Sequence, residues 1–385
     1  MTAAAAAPPP DADELGAWLH LLHSPGVGRD AARRLLAHFG PPQAVLAASA
    51  EQLLACVDAP TALTLPTPPE GHAARLAATL AWLAAGPARR ILLLGDADYP
   101  PTLLHAPDPP LLLFLHGRAE LLNSRCLAIV GSRRPSAQGR DNARRFARDV
   151  AAQGWTIVSG LAAGVDGAAH EGALAAGGAT VAVIGTGIDR VYPASHRALA
   201  HRIAELGLLV SELPLGAAPL AGNFPQRNRL IAGLSQGTLV VEAAIKSGSL
   251  ITARLASEAG REVMAIPGSI LAAQSAGCHA LIRQGAALVD SPAQVLEELG
   301  ALPVLAPPPR TAADNDAYPP AADAEAANAA DPVLRALGHD PLSLDALIDR
   351  CGWAAPALSA HLLTLELAGL VARLPGGLYQ RRQAG

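Results

Sequence analysis

The sequence predicts a doubly wound parallel α/β sheet, with a helical domain before it and three helices plus a two-stranded wing after it. Three observations carry that prediction. Short apolar runs (LAIVGS, WTIVSG, TVAVIG, GLLVSE, GTLVVEA, REVMAIPG, AALVD) recur through the middle of the chain, and helical stretches near residues 143–152, 166–176, 195–205 and 249–259 separate most of them. The runs are continuous rather than alternating, as Leu127-Ala128-Ile129-Val130 shows, which suits strands buried on both faces. Each run then breaks into small or polar residues, where an open α/β sheet keeps its ligand crevice.

In chain order, residues 1–12 are Ala- and Pro-rich and read as a disordered tail. Residues 13–85 read as a helical domain. Its LLHSPGVGRDAARRLLAHFG places the turn Pro25-Gly26-Val27-Gly28 between two helices, with Ala31, Ala32, Leu35 and Leu36 on the inner face of the second. This is the form of a helix-hairpin-helix, whose turn amides can face a DNA phosphate; the competing reading is a turn that only packs. Residues 86–300 hold the α/β domain, which opens with the apolar strands ILLLGDADYP and PPLLLFLHG. Residues 301–330, rich in Pro, Ala and Asp, read as a linker. Residues 331–385 give three helices and a hairpin turning at Pro375-Gly376-Gly377, the winged-helix pattern.

Composition narrows the class. At 385 residues the chain expects two or three domains, and no window reaches the roughly eighteen apolar residues of a membrane span. The opening MTAAAAAPPPDADE lacks the basic and leucine-rich regions of a signal peptide, and Cys56, Cys126, Cys278 and Cys351 are too scattered for a zinc site or a disulfide framework. The expectation is a cytoplasmic protein with no membrane partner. Net charge is −4, yet seven arginines stand between Arg125 and Val150 against Asp141 and Asp149, a local basic patch on an acidic chain.

The strand ends carry the candidate site. Gly131-Ser132-Arg133-Arg134 follows the first parallel strand, and Ser159, Gly160 and Gly164 follow the next. Glycines admit a ligand close to backbone, hydroxyls donate to it, and guanidinium groups suit phosphate oxygens. In Asn223-Phe224-Pro225-Gln226-Arg227-Asn228-Arg229, Phe224 can stack on a base while Arg227 and Arg229 hold phosphates, or the arginines can pair with Glu212 or Glu242 in a capping turn. Lys246, the only lysine, precedes Ser247-Gly248-Ser249 at the start of a helix that favours anions. There is no Ser-His-Asp order, no GxGxxG, no GxxxxGK[ST] and no metal set, so no cofactor is expected. Asp166 and Glu242 can act as acid or base and as readily cap helices or hold arginines.

With these residues together the chain resembles the DprA/Smf family of DNA-processing proteins. AIVGSR (128–133), IVSGLAAGVDGAAH (157–170), VAVIGTGIDRVYP (181–193), SELPLG (211–216), FPQRNRLIAGLS (224–235), VVEAAIKSGSLITA (240–253) and REVMAIPGS (261–269) carry the resemblance in family order. It implies an extended Rossmann-like domain, with a helix-hairpin-helix or SAM-like domain before it and a winged helix after it. It further implies a non-catalytic homodimer that binds single-stranded DNA, loads RecA onto it and meets single-strand binding protein during recombination and natural transformation. Carried over by residue, Arg133 holds a phosphate with Gly131 and Ser132 as backbone and hydroxyl donors; Phe224, Arg227, Asn228 and Arg229 complete the pocket, and Lys246 adds a contact.

Two departures stand out. Ala221 replaces a basic residue that some members carry before the FP pair, and Arg197 falls where others have lysine. Residues 354–370, the third helix of the wing unit, contain no lysine or arginine, so this module is expected to contact protein or to bind DNA only weakly. The rival class is a nucleotide enzyme like the phosphoribohydrolases, whose PGGxGT loop is absent.

Overall fold

Asp11 starts the first helix by accepting the Glu14 amide at 2.6 Å, and α1 (Ala12–His23) follows. The computed structural model describes residues 11–300, 331–337 and 341–382, so residues 1–10 of the expected tail and the expected linker 301–330 lie outside the described residues. Five further helices complete the N-terminal unit: α2 (Arg29–Phe39), α3 (Pro42–Ala47), α4 (Ala50–Leu53), α5 (Ala59–Thr64) and α6 (His72–Ala84). Leu15, Leu19, Leu35, Val45 and Leu53 close its core. Between α1 and α2, Gly26 lies so near α5 that a β-carbon on it would stand 2.1 Å from Thr61 Oγ1. That turn therefore has a packing role within the unit.

The sheet follows in chain order: β1 (Arg89–Leu93), α7 (Pro101–Leu104), β2 (Leu112–Gly117), β3 (Cys126–Val130), α8 (Ala137–Ala152), β4 (Thr156–Ser159), α9 (Val165–Ala175), β5 (Thr180–Val183), α10 (Arg197–Leu206), β6 (Leu208–Ser211), α11 (Asn223–Leu234), β7 (Gly237–Val240), α12 (Ser249–Glu258), β8 (Glu262–Ala265), α13 (Ala276–Arg283), β9 (Ala287–Leu288) and α14 (Pro292–Glu298). Its strand order is β1-β2-β6-β5-β4-β3-β7-β8-β9. From β6 to β9 every pairing is parallel. The two first strands are the exception: β1 and β2 form an antiparallel pair, and β2 runs antiparallel to β6. This pair joins the helical unit to the sheet, for Trp82 of α6 meets Phe114 of β2 edge-on at 5.7 Å and both belong to one continuous core.

Every residue of β3 is buried, as its unbroken apolar run requires. On one face of the sheet, Leu127 and Ile129 pack beneath Ala143, Phe146 and Val150 of α8. Truncating Phe146, which is 2 % exposed, to alanine would cost about 3–5 kcal/mol. From β3 the chain winds one way through β4, β5 and β6, then returns to β3's other side at β7 and winds away through β8 and β9. The two halves thus diverge between β3 and β7. Register pairs Val130 with Val240, so the loops after these strands leave the sheet side by side.

The wing unit comprises α15 (Pro332–Leu337), β10 (Leu342–Ser343), α16 (Leu344–Cys351), α17 (Ala355–Leu367), β11 (Val371–Leu374) and β12 (Leu378–Arg381). It has its own core of Val333, Leu334, Leu347, Leu358 and Leu362. It docks on α8, where the Gln380 side-chain amide donates to Gln138 Oε1 at 3.1 Å and Arg382 lies 3.4 Å from Asp141. No helix among the described residues is long and apolar enough to cross a membrane.

Candidate functional site

A crevice of about 830 Å³ opens where the two halves of the sheet diverge. Arg133 and Arg134, on the loop after β3, form one wall; Lys246, Ser247, Gly248 and Ser249, leading from β7 into α12, form the other. The first turns of α11 and α12 both face it, adding the partial positive charge of two helix N-termini. Arg133, Arg134 and Lys246 are exposed.

The loop after β3 is held from behind by Glu242. Its carbonyl accepts the Ser132 amide at 2.7 Å, and its carboxylate accepts the Ser136 amide at 2.9 Å and the Ser136 hydroxyl. Ser136 in turn caps α8 by accepting from the Gly139 amide. Burial raises the Glu242 carboxyl above the ordinary carboxylate range, opposed by the two Ser136 bonds. This corrects part of the expectation for Ser132: its amide is spent on Glu242, and its hydroxyl is the group left to donate.

Arg227 lies at the crevice floor, 7 % exposed. Burial pushes its guanidinium down to about 10, with Asp166 pulling it back up and Arg133 adding to the fall. Its Nε has no hydrogen-bond partner among the described residues. Asp166 accepts the amides of Gly160 at 3.1 Å and Ala162 at 3.3 Å; burial raises its carboxyl, while Arg227 and those amides oppose the rise. A buried cation with an unused donor, next to a carboxylate already engaged, is poised for an anion.

Three sequence candidates act behind the crevice and do not line it. The Ser159 hydroxyl is fully buried and donates to the Ile129 carbonyl at 2.6 Å. Gly160 makes room for Arg227. Gly164, at φ +88°, packs on the loop after β3, where a β-carbon would stand 2.4 Å from the Ser132 carbonyl oxygen.

Arg229 is corrected more strongly. Residues 223–229, read as lying just before an apolar helix, are instead the first two turns of α11, because a proline in a helix's opening turn forfeits no intrahelical bond; for Arg229 the alternative reading, a pair with Glu212, is the one found. Residues 227 and 229 then point to nearly opposite sides of the helix. Arg229 leaves the crevice and pairs with Asp108, Nε to Oδ2 at 3.0 Å, and with Glu212. Arg29 and Arg33 of α2 share Asp108, so this cluster ties the helical unit to α11. Asn228 stays at the crevice and donates to the Gly248 carbonyl at 3.4 Å, bracing the loop that carries Lys246.

Two residues escaped the sequence reading. Asp108, in an unpatterned proline turn, gave no sign of its partners far along the chain. Tyr192 lines the crevice beside Phe224. Its signal was its place in VYP among only four tyrosines.

Comparison with known proteins agrees with this architecture. Residues 90–300 match the family described as DNA recombination-mediator protein A, and residues 317–377 match the DprA winged helix domain. The chain is 44% identical over 309 residues to Protein Smf of Escherichia coli (strain K12), covering 80% of this chain and 81% of that one. It is 48% identical over 203 residues to DNA processing protein DprA of Streptococcus pneumoniae (strain ATCC BAA-255 / R6), covering 53% of this chain and 72% of the relative. The X-ray structure of DNA processing protein A (DprA) from Streptococcus pneumoniae aligns with a TM-score of 0.65 at 35% identity, covering 76% of this chain and 99% of that one. With more than half of its length matched by one family and a homologue aligned over four-fifths of its residues, the chain belongs to the DprA/Smf family of DNA-processing, recombination-mediator proteins.

Proposed function

We propose that this chain is a non-catalytic mediator that holds single-stranded DNA in the crevice, protects it and loads RecA onto it in homologous recombination and natural transformation. The observation that carries the reading is the charge balance of the crevice: Arg133, Arg134, Arg227 and Lys246 converge against Asp166 alone. The side chains of Arg133, Arg134 and Lys246 have no ion-pair partner among the described residues, so they are free to take phosphates.

In this mechanism a strand lies between the two walls. Arg133 and Arg134 take phosphates on the β3 side, Lys246 with the Ser247 and Ser249 hydroxyls takes them on the β7 side, and Arg227 completes a contact at the floor. Because no base edge need be read, binding is tolerant of sequence and sensitive to salt. Pairing two copies would set two crevices along one strand and raise the effective concentration at the second. The winged helix, whose α17 carries no lysine or arginine, serves as a protein-contact or weak accessory module in this reading.

The test is fluorescence anisotropy of a labelled single strand and its duplex across a salt series, for wild type and Arg133→Ala. Preference for the single strand, falling with salt and severely weakened by the substitution, is the expected result. Equal binding of both forms, or an unaffected variant, would move the DNA site to the flanking units. No binding, together with release of free base from a nucleoside monophosphate, would replace the mediator with an enzyme.

A further inference from the structure

A separate cavity of about 630 Å³ shares no lining residue with the crevice. Its floor is one row of residues across three strands. Register sets Arg89 of β1 opposite His116 of β2, and His116 opposite Leu209 of β6. Residues paired in this way put their side chains on the same face of a sheet, here the face that meets Ala200, His201 and Ala204 of α10. Trp82 of α6, with Ile188 and Val191 of the loop after β5, adds apolar wall.

The row carries a charge arrangement that the fold leaves unanswered. Basic groups directly opposite in an antiparallel pair repel when both are charged, yet Arg89 faces His116, and His201 adds a third. Burial lowers the His116 imidazolium, and Arg89 and His201 lower it further. The neighbouring Arg90, on the other face of β1, has its carboxylate in Asp98 at 2.6 Å. Arg89, His116 and His201 form no ion pair among the described residues. Arg89 donates from Nη1 to the Trp82 carbonyl at 3.1 Å and lies over the Trp82 ring, 5.7 Å from its centroid. Its Nε and Nη2, and the ring nitrogens of His116, have no hydrogen-bond partner among the described residues. Of the two carboxylates in the lining, Asp189 already accepts the Gly216 amide at 2.8 Å, and Glu205 is exposed.

We infer that this cavity is a binding site for a small organic anion, whose phosphate or carboxylate head sits among Arg89, His116 and His201 and whose apolar body lies against Trp82, Ile188, Val191 and Leu209. The volume is that of a small-molecule site, and apart from the three basic groups and the two carboxylates the lining is wholly apolar. An anionic head supplies the charge-assisted hydrogen bonds that the free donors of Arg89 and His116 lack, and it relieves the repulsion along the row. A ligand seated there touches α6, β1, β2 and α10 together, and so ties the helical unit to the sheet. The inference is independent of the single-strand reading.

The test is isothermal titration calorimetry of the full chain with phenyl phosphate, benzoate, inorganic phosphate and benzyl alcohol. At least one of the two aromatic anions should bind with a dissociation constant below about 1 mM, and the tighter of the two names the head group. Inorganic phosphate lacks the apolar body and benzyl alcohol lacks the charge, so each should bind at least about tenfold more weakly. His116→Leu and His201→Glu should each weaken the aromatic anion on the order of tenfold, with the circular dichroism of wild type. His201 is exposed on α10, so His201→Glu decides alone if His116→Leu does not fold. Arg133→Ala, in the crevice, should bind the anion as wild type does. Failure of both aromatic anions to bind, equal binding of benzyl alcohol or inorganic phosphate, or wild-type affinity in the cavity variants would overturn the inference. Loss of binding in Arg133→Ala would place the anion in the crevice and overturn it as well.

Discussion

The guanidinium of Arg227 occupies the space in which a side chain at residue 160 would begin. A β-carbon on Gly160 would lie 1.5 Å from Arg227 Nη1. The φ of Gly160 is not in the left-handed region, so its backbone accepts alanine and the displacement must fall on the guanidinium. Gly160→Ala should therefore act as a mutation of Arg227 while leaving Arg227 in the sequence. Loss of one charge-assisted contact predicts single-strand affinity about tenfold weaker or worse, with circular dichroism and thermal unfolding still those of a folded chain. Unchanged affinity in the anisotropy titration would remove Arg227 from the contact surface.

Arg229 calls for the opposite outcome. It is 13% exposed and holds Asp108 and Glu212 between the helical unit and α11. Arg229→Leu leaves both carboxylates short of a partner, although Arg29 and Arg33 remain beside Asp108. The expected cost is about 2 kcal/mol of stability, below the cost of breaking a fully buried pair, and is read from urea unfolding. The salt dependence of DNA binding should keep its wild-type slope. A flatter slope at full stability would put Arg229 back among the phosphate contacts.

His170 makes stability depend on pH. Thr180 Oγ1 gives its single proton to the Ile157 carbonyl at 2.7 Å, so it accepts from His170 Nδ1, and the buried Nε2 carries no proton and has no partner. Burial pushes the imidazolium from 6.5 down to about 3. The unfolded chain takes up this proton near pH 6.5 and the folded chain only near pH 3, so the contribution is intact above pH 6.5 and is lost as pH falls toward 3. The slope from this one group approaches about 1.4 kcal/mol per pH unit. His170→Leu should lose that part of the acid sensitivity, seen as a shallower fall in unfolding free energy between about pH 6 and pH 4. An unaltered slope would mean that His170 accepts its proton within the fold.

The strands and the crevice at their carboxyl ends were legible because buried parallel strands leave unbroken apolar runs with glycine, serine and arginine at their ends. Directions were less so: an apolar run reads the same whether its neighbour is parallel or antiparallel, so nothing in the sequence showed that β1 and β2 run antiparallel. Arg227 and Arg229 look equivalent while the helix is taken to begin after residue 229. Once α11 begins at Asn223, helical geometry alone sends one into the crevice and the other to Asp108. The roles of Gly160 and Asp108 depend on partners far along the chain, and such contacts leave no periodic trace.

The strand order also fixes when in its own synthesis this protein can grip anything. By Ser211 a growing chain has made every strand on one side of β3, enough for a continuous sheet from β1 to β3. One flank of that sheet is still bare, and the residues that will face Arg133 from across the crevice have not yet been translated. Only when β7 pairs with β3 do Lys246 and the serines after it arrive. A chain that stops short of them has only one wall of the crevice, so on the proposed reading the capacity to hold a strand arises only once synthesis has entered the second half of the sheet.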